Sequence, residues 1–561
     1  MRCWQVALVA WAALSAAAAQ SATKTGAQQT QQRQQQAAPP PPPPDSGREC
    51  ECRGVIRRSL DCSDRERSQF STSELCTGRT HKVDLSRNNF VAFPTAWGSY
   101  VTQVNVSRNR LTALPRAPPL NAGTVWLDVS ENQIGYASDE LRGLQSLEKL
   151  YVGGNRLRTL AFLPSPCALT KLSAPRNLLT ALDGALARCA ELESLDLSNN
   201  QILSLPRVAL DGLNKLEKLK LHGAGLVNIE EGSFHDLVKL ELLDLSDNDL
   251  TALPSGLFTT LHELDDLFLD NNSLTALPAD AFVGLVELEV LSLTNNKITT
   301  LAPGAFTGLE DIKYLTLNEN RLTTLPSNIF SGLPQVKGID LSINQLETLP
   351  SRLFADLTTL EKVKLHHNKL TTLPSDLFAG LSNLELVDLS HNQLSALPPG
   401  LVQPLTLIKS LDLSHNRFTT FSGRDLNGLH SVERLNLEFN LLTALPLYDA
   451  SWPAVEKAVF GHNNIVSAGE VTLRSWLGDG STKRVVSVEG RPPLSTPSAL
   501  QWALNDGALS TSTSEELGCA CGAVKKGDAQ VRFCLAAACP NVHATWVEAV
   551  RAAPAPQTHK G

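Results

Sequence analysis

Asparagine recurs along this chain at a nearly fixed spacing, and that spacing limits the fold more than any other feature. Aligned on it, the chain gives positions 88, 109, 132, 155, 177 and 200, then a unit in which Ala224 stands in place of Asn, then 248, 272, 296, 320, 344, 368, 392, 416, 440 and 463. From 200 to 440 the step is 24 residues; before that it is 21 to 23, and the last is 23. Self-similarity at such a period is the mark of stacked units. One unit reads Leu264, Leu267, Leu269, Asn272, Leu274, Leu277 and Pro278, closing with Phe282 and Leu285. Leu267 and Leu269 alternate as in a strand, whereas Leu274 and Leu277 are three apart. A unit alone leaves its apolar edges wet, so stability comes from stacking. The Asn is the one polar residue in the inward phase. Its amide can bond backbone groups of the turn leaving the strand, and stacked copies form a ladder that answers the need of buried polar groups for partners. Phe234, Phe258, Phe282, Phe306, Phe330, Phe354 and Phe378 share one phase and are expected to stack as an aromatic spine on the convex side.

The rest of the composition narrows the class. With 561 residues the chain exceeds one compact core, which agrees with an elongated array. Its 49 Lys and Arg against 57 Asp and Glu, net −8, lack the basic footprint of a nucleic-acid binder. Past the N-terminus no run of about 18 apolar residues suggests a membrane span, and the polar tail 546–561 carries no lipid-anchor signal. Residues 1–19 combine Arg2, an apolar stretch from Val6 and an Ala17-Ala18-Ala19 end, the pattern of a cleaved secretory signal. Removing it takes Cys3 and leaves 10 of the 11 cysteines, an even number suited to full pairing in an oxidising compartment. Residues 20–49 form a Gln- and Pro-rich leader, with Pro39 to Pro44 as a stiff extended end.

The repeat resembles the extracellular, 24-residue "typical" leucine-rich repeat, with about 17 units over 81–468. The resemblance extends to Toll-like receptor ectodomains and to the acid-labile subunit of the insulin-like growth factor complex. It implies an α/β repeat solenoid: a horseshoe with a parallel β-sheet on its concave face and cysteine-containing caps at both ends. Cys50, Cys52, Cys62 and Cys76 fall in a cap at 50–80 and allow three connectivities; the resemblance favours Cys50–Cys62 and Cys52–Cys76. At the other end, 469–545, the segment from Gly490 to Leu504 resembles a helical cap, with Thr496 as N-cap, Pro497 in the first turn and Gly507 beyond the end. Cys519, Cys521, Cys534 and Cys539 follow it and suit disulfides better than a zinc site in a secreted protein. Cys167 and Cys189 share a phase in successive units, which predicts a disulfide between adjacent coils.

Function is expected on the concave face. Most outward strand residues are repeat filler such as the Asp-Leu-Ser of Asp196 or Asp388. Leu242, Phe268, Val290 and Tyr314 depart from it on four consecutive strands, beside Asp244, Asp266 and Asp270, and predict an apolar patch about 15–20 Å long with an acidic margin. Random drift within a tolerant repeat is the alternative. Trp126 and Tyr151 form a second candidate patch. His367, His391 and His415 share one phase, with His366 and His462 nearby; they are either ordinary repeat variants or a stack that senses acid or binds metal. Asn105 and Asn271 are glycosylation sequons. No nucleophile, metal-protease or phosphate-loop motif is present, and no cofactor or metal is expected. The sequence therefore reads as a secreted, non-enzymatic protein whose partner is an extracellular protein ligand. A non-catalytic subunit stabilising an extracellular enzyme or hormone-carrier complex is the alternative.

Overall fold

A computed structural model describes residues 50–465, apart from 55–57, 71–78, 95–96, 98, 115–119, 138–140, 183, 427–428 and 448–454, and beyond them the backbone of four strands between 485 and 534. The repeat writes itself directly into the backbone. Each unit contributes a short strand, and these pair in parallel in chain order from Thr80–Asp84 through Asp266–Phe268 to Lys457–Val459. In a three-residue strand the middle side chain is buried and its neighbours stay half-open, as in Asp266, Leu267 and Phe268. The register sets like on like, Leu243 against Leu267 against Leu291. Between strands the chain returns through turns, short paired segments such as Ala276–Leu277 with Thr300–Leu301, and the 3-10 segments Ala185–Arg188 and Gly423–Leu426. No α-helix occurs among the described residues.

Two ladders hold the repeats together. The seven phenylalanines from Phe234 to Phe378 are buried and stack with ring centroids 5.8 to 6.4 Å apart and planes within 15° of parallel. The asparagines form the polar ladder. Asn320 Nδ2 donates to the Leu293 carbonyl of the preceding unit at 2.9 Å and to Leu317 of its own at 3.1 Å, while its Oδ1 accepts the Ile298 N–H at 3.0 Å. Each amide thus ties two coils, and the same geometry repeats from Asn88 to Asn463. At Ala224 the side chain is missing, and the Ile202 N–H bonds the Ala224 carbonyl instead, at 2.7 Å. The residue before each ladder position is left-handed whatever its type, including Arg87, Ile343, His391 and Phe439 with φ of 51° to 56°. For β-branched Ile343 this is a strained conformation that the surrounding repeats impose.

The ends show the caps in part. Cys50 and Cys62 are disulfide-bonded, joining Glu51–Arg53 to Arg58–Asp61 in an antiparallel pair that continues the sheet beside Thr80–Asp84. Cys52 is disulfide-bonded as well, and Cys76 lies outside the described residues. Cys167 and Cys189 form a disulfide between successive coils, with Cα atoms 4.9 Å apart. At the far end Val485–Glu489 and Ala529–Cys534 extend the sheet in parallel, followed by Cys519–Lys526 and Leu509–Ser514 in antiparallel pairing. Cys521 stands opposite Cys534 in the register and Cys519 opposite Ser514. The helix expected from Thr496 lies outside the described residues, as do Cys539, the leader and the tail.

Replacing one ladder amide tests the role assigned to it. Asn320→Ala leaves the Ile298 N–H without a partner and takes one of two donors from each of the Leu293 and Leu317 carbonyls, which Asn296 and Asn344 still reach, so chemical denaturation is expected to show a loss on the order of 2 kcal/mol. A change below about 0.5 kcal/mol would remove the ladder from the account of stability.

Candidate functional site

The strands place the outward residues in rows. Leu242, Asp266, Val290, Tyr314 and Gly338 are successive partners in one row; Asp244, Phe268, Ser292, Thr316 and Asp340 are partners in the next. Leu242, Val290 and Tyr314 therefore line up with Asp266 between the first two, and Phe268 stands across from them in the neighbouring row. All are half-buried. The Tyr314 ring lies over Gly338, where a Cβ would meet its Cδ1 at 3.0 Å. Gly338 is thus part of the patch: the absent side chain lets the ring lie down along the sheet.

The acidic margin differs from the expectation. Asp244 Oδ1 accepts the Ser246 N–H at 3.1 Å, the same internal bond that Asp128, Asp340 and Asp388 make in their repeats. In the repeat where Phe268 displaces that Asp, Asp270 accepts the Thr294 N–H at 2.8 Å and the Ser292 hydroxyl. Both carboxylates are committed to the fold, which removes them from an open margin. Asp266 is different: no hydrogen bond reaches its carboxylate from the described residues. Burial, with Asp265 and Glu289 nearby, pushes it up to about 6. Asp265 is also raised, by burial first and then by Glu289, Glu241 and Glu287. Glu193, Glu217, Glu241, Asp265 and Glu289 follow one another at the strand entries, each N–H bonded to the carbonyl of the one before, until Lys313 ends the run and pairs with Glu289. Five stacked carboxylates repel one another, so this flank concentrates negative charge.

The second candidate pair comes together. Trp126 and Tyr151 lie with ring centroids 5.7 Å apart, and Lys171 Nζ is 5.5 Å from the Tyr151 centroid. The sequons differ in environment. Asn105 bonds Asp84 and Ser107, whereas Asn271 is exposed and accepts from Asn295 at 2.7 Å. The histidines form more than a shared phase. His367, His391, His415, Phe439 and His462 make one continuous stack, with centroids 3.8 to 4.1 Å apart and planes within 13°. Burial lowers His367, His391 and His415, joined by the neighbouring imidazoles, and His391 falls to about 4. All three rings are thereby shifted toward their neutral form. The stack begins beside exposed Ile343, so an apolar edge runs along the later repeats.

The repeat geometry has known counterparts. A leucine-rich repeat family model matches residues 167–226, 215–274, 263–322, 312–369, 358–418 and 394–442. This chain is a leucine-rich repeat protein. Toll-like receptor 2 of Bos taurus is 31% identical over 129 residues, which cover 22% of this chain and 15% of the receptor. Podocan of Mus musculus is 35% identical over 113 residues, 19% of this chain and 18% of podocan. The matched stretch is thus under a fifth of the length of these curated relatives. Among solved structures, a leucine-rich repeat protein of Leptospira interrogans superposes with a TM-score of 0.55 at 28% identity, covering 64% of this chain and 90% of that one. The glycosylated Toll–Spatzle complex gives a TM-score of 0.59 at 18% identity over 82% and 70%, a likeness of fold. No helix among the described residues is long and apolar enough to cross a membrane.

Asp266 supplies a stability test. A carboxyl raised in the folded state holds its proton more tightly folded than unfolded, so its favourable contribution is present below the ordinary aspartate value and is lost as pH rises to about 6. Asp266→Asn is therefore expected to stabilise this leucine-rich repeat protein at neutral pH, by on the order of 1 kcal/mol after allowing for solvent screening. The gain should vanish in acid. Denaturation of both proteins across the acid range measures it, and an equal or lower stability of the variant at neutral pH would show that Asp266 is not under strain.

Proposed function

We propose that this is a secreted recognition protein that binds another protein through the outward, concave face of its sheet, centred on Leu242, Asp266, Val290, Tyr314 and Phe268. The observation that carries the reading is Asp266. A half-buried carboxylate without a hydrogen-bond partner, set between apolar side chains and beside a run of acids, is unfavourable in the free protein and becomes favourable when a cation docks on it. Tyr314 lying over Gly338 supplies a rigid apolar and aromatic anchor at the centre of the patch, the kind of residue on which interface energy concentrates. The ligand that fits is a protein segment presenting Arg or Lys next to an apolar side chain. Kinship with Toll-like receptor 2 and the shared fold with Toll, whose solved structure is a complex with Spatzle, support protein recognition over catalysis. In this reading exposed Asn271 carries a glycan at the rim of the patch, and Trp126 with Tyr151 serves as a lesser contact.

The test is affinity capture from the extracellular fluid in which the protein occurs, using wild type, Asp266→Arg, Tyr314→Ala and Trp126→Ala. A stoichiometric partner should be retained by wild type and Trp126→Ala and reduced at least about tenfold by the other two, the loss expected for a central contact. Full retention by Asp266→Arg and Tyr314→Ala would contradict the assignment.

A further inference from the structure

Away from the open face, the returning turns of two successive repeats bring together Asp211, His235 and Asp236, whose ligand atoms lie within 4.8 Å of one another. Their hydrogen bonds define what they can hold. His235 Nδ1 lies 2.7 Å from the Gly232 carbonyl. A carbonyl only accepts, so Nδ1 carries the proton and a neutral ring presents its lone pair at Nε2. That Nε2 is 3.1 Å from Asp236 Oδ1. The other Asp236 oxygen accepts the Gly212 N–H at 2.8 Å and fixes the carboxylate. Asp211 Oδ1 is buried and has no hydrogen-bond partner. Three acceptors converge with no donor among them. One proton on Nε2 would answer Asp236 alone, whereas a divalent cation answers all three.

We propose that Asp211, His235 and Asp236 form a site for a divalent transition metal, with zinc the best fit. An imidazole nitrogen with two carboxylate oxygens suits zinc, while calcium and magnesium prefer oxygen alone. The 3.1 Å between Nε2 and Oδ1 falls a few tenths of an ångström short of the ~3.4 Å between tetrahedral ligands each about 2.1 Å from a shared ion, a gap that a small side-chain shift closes. The Nδ1–H bond to a carbonyl and the amide bond to Asp236 are the supports that orient metal ligands. His235 and Asp236 keep about a third of their side-chain surface exposed, at 35% and 37%, which leaves water access to complete the coordination. The location gives the site a purpose. Asp211 belongs to the repeat of Asn200, and His235 and Asp236 to the repeat in which Ala224 breaks the amide ladder. A bound ion would tie together the two coils that lack a side-chain rung.

The full chain, stripped with a chelator and exchanged into neutral buffer, is titrated with zinc chloride by calorimetry and followed by thermal unfolding. Wild type is compared with His235→Gln, the conservative Asp211→Asn, and His391→Asn in the ring stack. The expected result is one zinc per chain, bound by wild type and His391→Asn and lost in the other two, with a Tm rise of a few °C on zinc addition only where it binds. Circular dichroism should show all variants folded. Absence of saturable zinc binding, zinc retained by both His235→Gln and Asp211→Asn, or zinc lost only in His391→Asn would overturn the proposal. So would an equal destabilisation of chelated and zinc-treated protein by His235→Gln, the behaviour of a simple ion pair.

Discussion

One side-chain amide per turn governs this molecule. A buried Asn that gives hydrogen bonds to two coils and takes one from the coil before it can be satisfied only when the coils are stacked in register. From that constraint follow the parallel sheet, the left-handed residue ahead of each amide and the phase in which the phenylalanines meet. The exception is instructive. Where Ala224 replaces Asn, flanking Gly223 and Gly225 both take positive φ, and a backbone carbonyl substitutes for the missing side chain. Stacking continues with a rung removed, and the Asp211, His235 and Asp236 cluster lies at that junction.

Because the ladder and the spine fix the coils, the outward strand positions are free to vary without endangering the fold. Most are spent on an Asp that accepts from the Ser two residues on, as in Asp244, Asp340 and Asp388. Asp266, the acid run from Glu193 to Asp265, and Tyr314 over Gly338 do nothing comparable for the free protein. Like charges at adjacent strand entries and a half-buried carboxylate raised to about 6 lower stability at neutral pH. Features that weaken the free fold without an evident internal use are what the proposed binding surface rests on.

The sequence carried most of the fold and part of the site. The period, the amide ladder, the phenylalanine spine and the contact between Cys167 and Cys189 are legible because each depends on phase alone, and phase survives in one dimension. What the outward residues do depends on which neighbour each one faces. Asp270 looked available from its position, yet Ser292 stands where the next repeat would carry its own Asp, so the Thr294 N–H and the Ser292 hydroxyl turn to Asp270. Gly338 gave no signal because its role lies in the ring of the preceding repeat. The five acids from Glu193 to Glu289 give no signal as letters, since their repulsion arises only once the strands are adjacent. The histidines were seen to share a phase, but Phe439 joining them in one stack follows from the common left-handed backbone, which residue type does not reveal.

The central claim is that the row from Leu242 to Gly338 is the surface a protein ligand covers. Hydroxyl-radical footprinting of the free protein and of its complex with the captured partner measures this residue by residue. The account predicts strong protection of Tyr314, Phe268 and Leu242 in the complex, with Phe439 and the neighbouring His415 unchanged. Protection of the Phe439 stack with Tyr314 and Phe268 left reactive would place the interface on the other end of the array and contradict it.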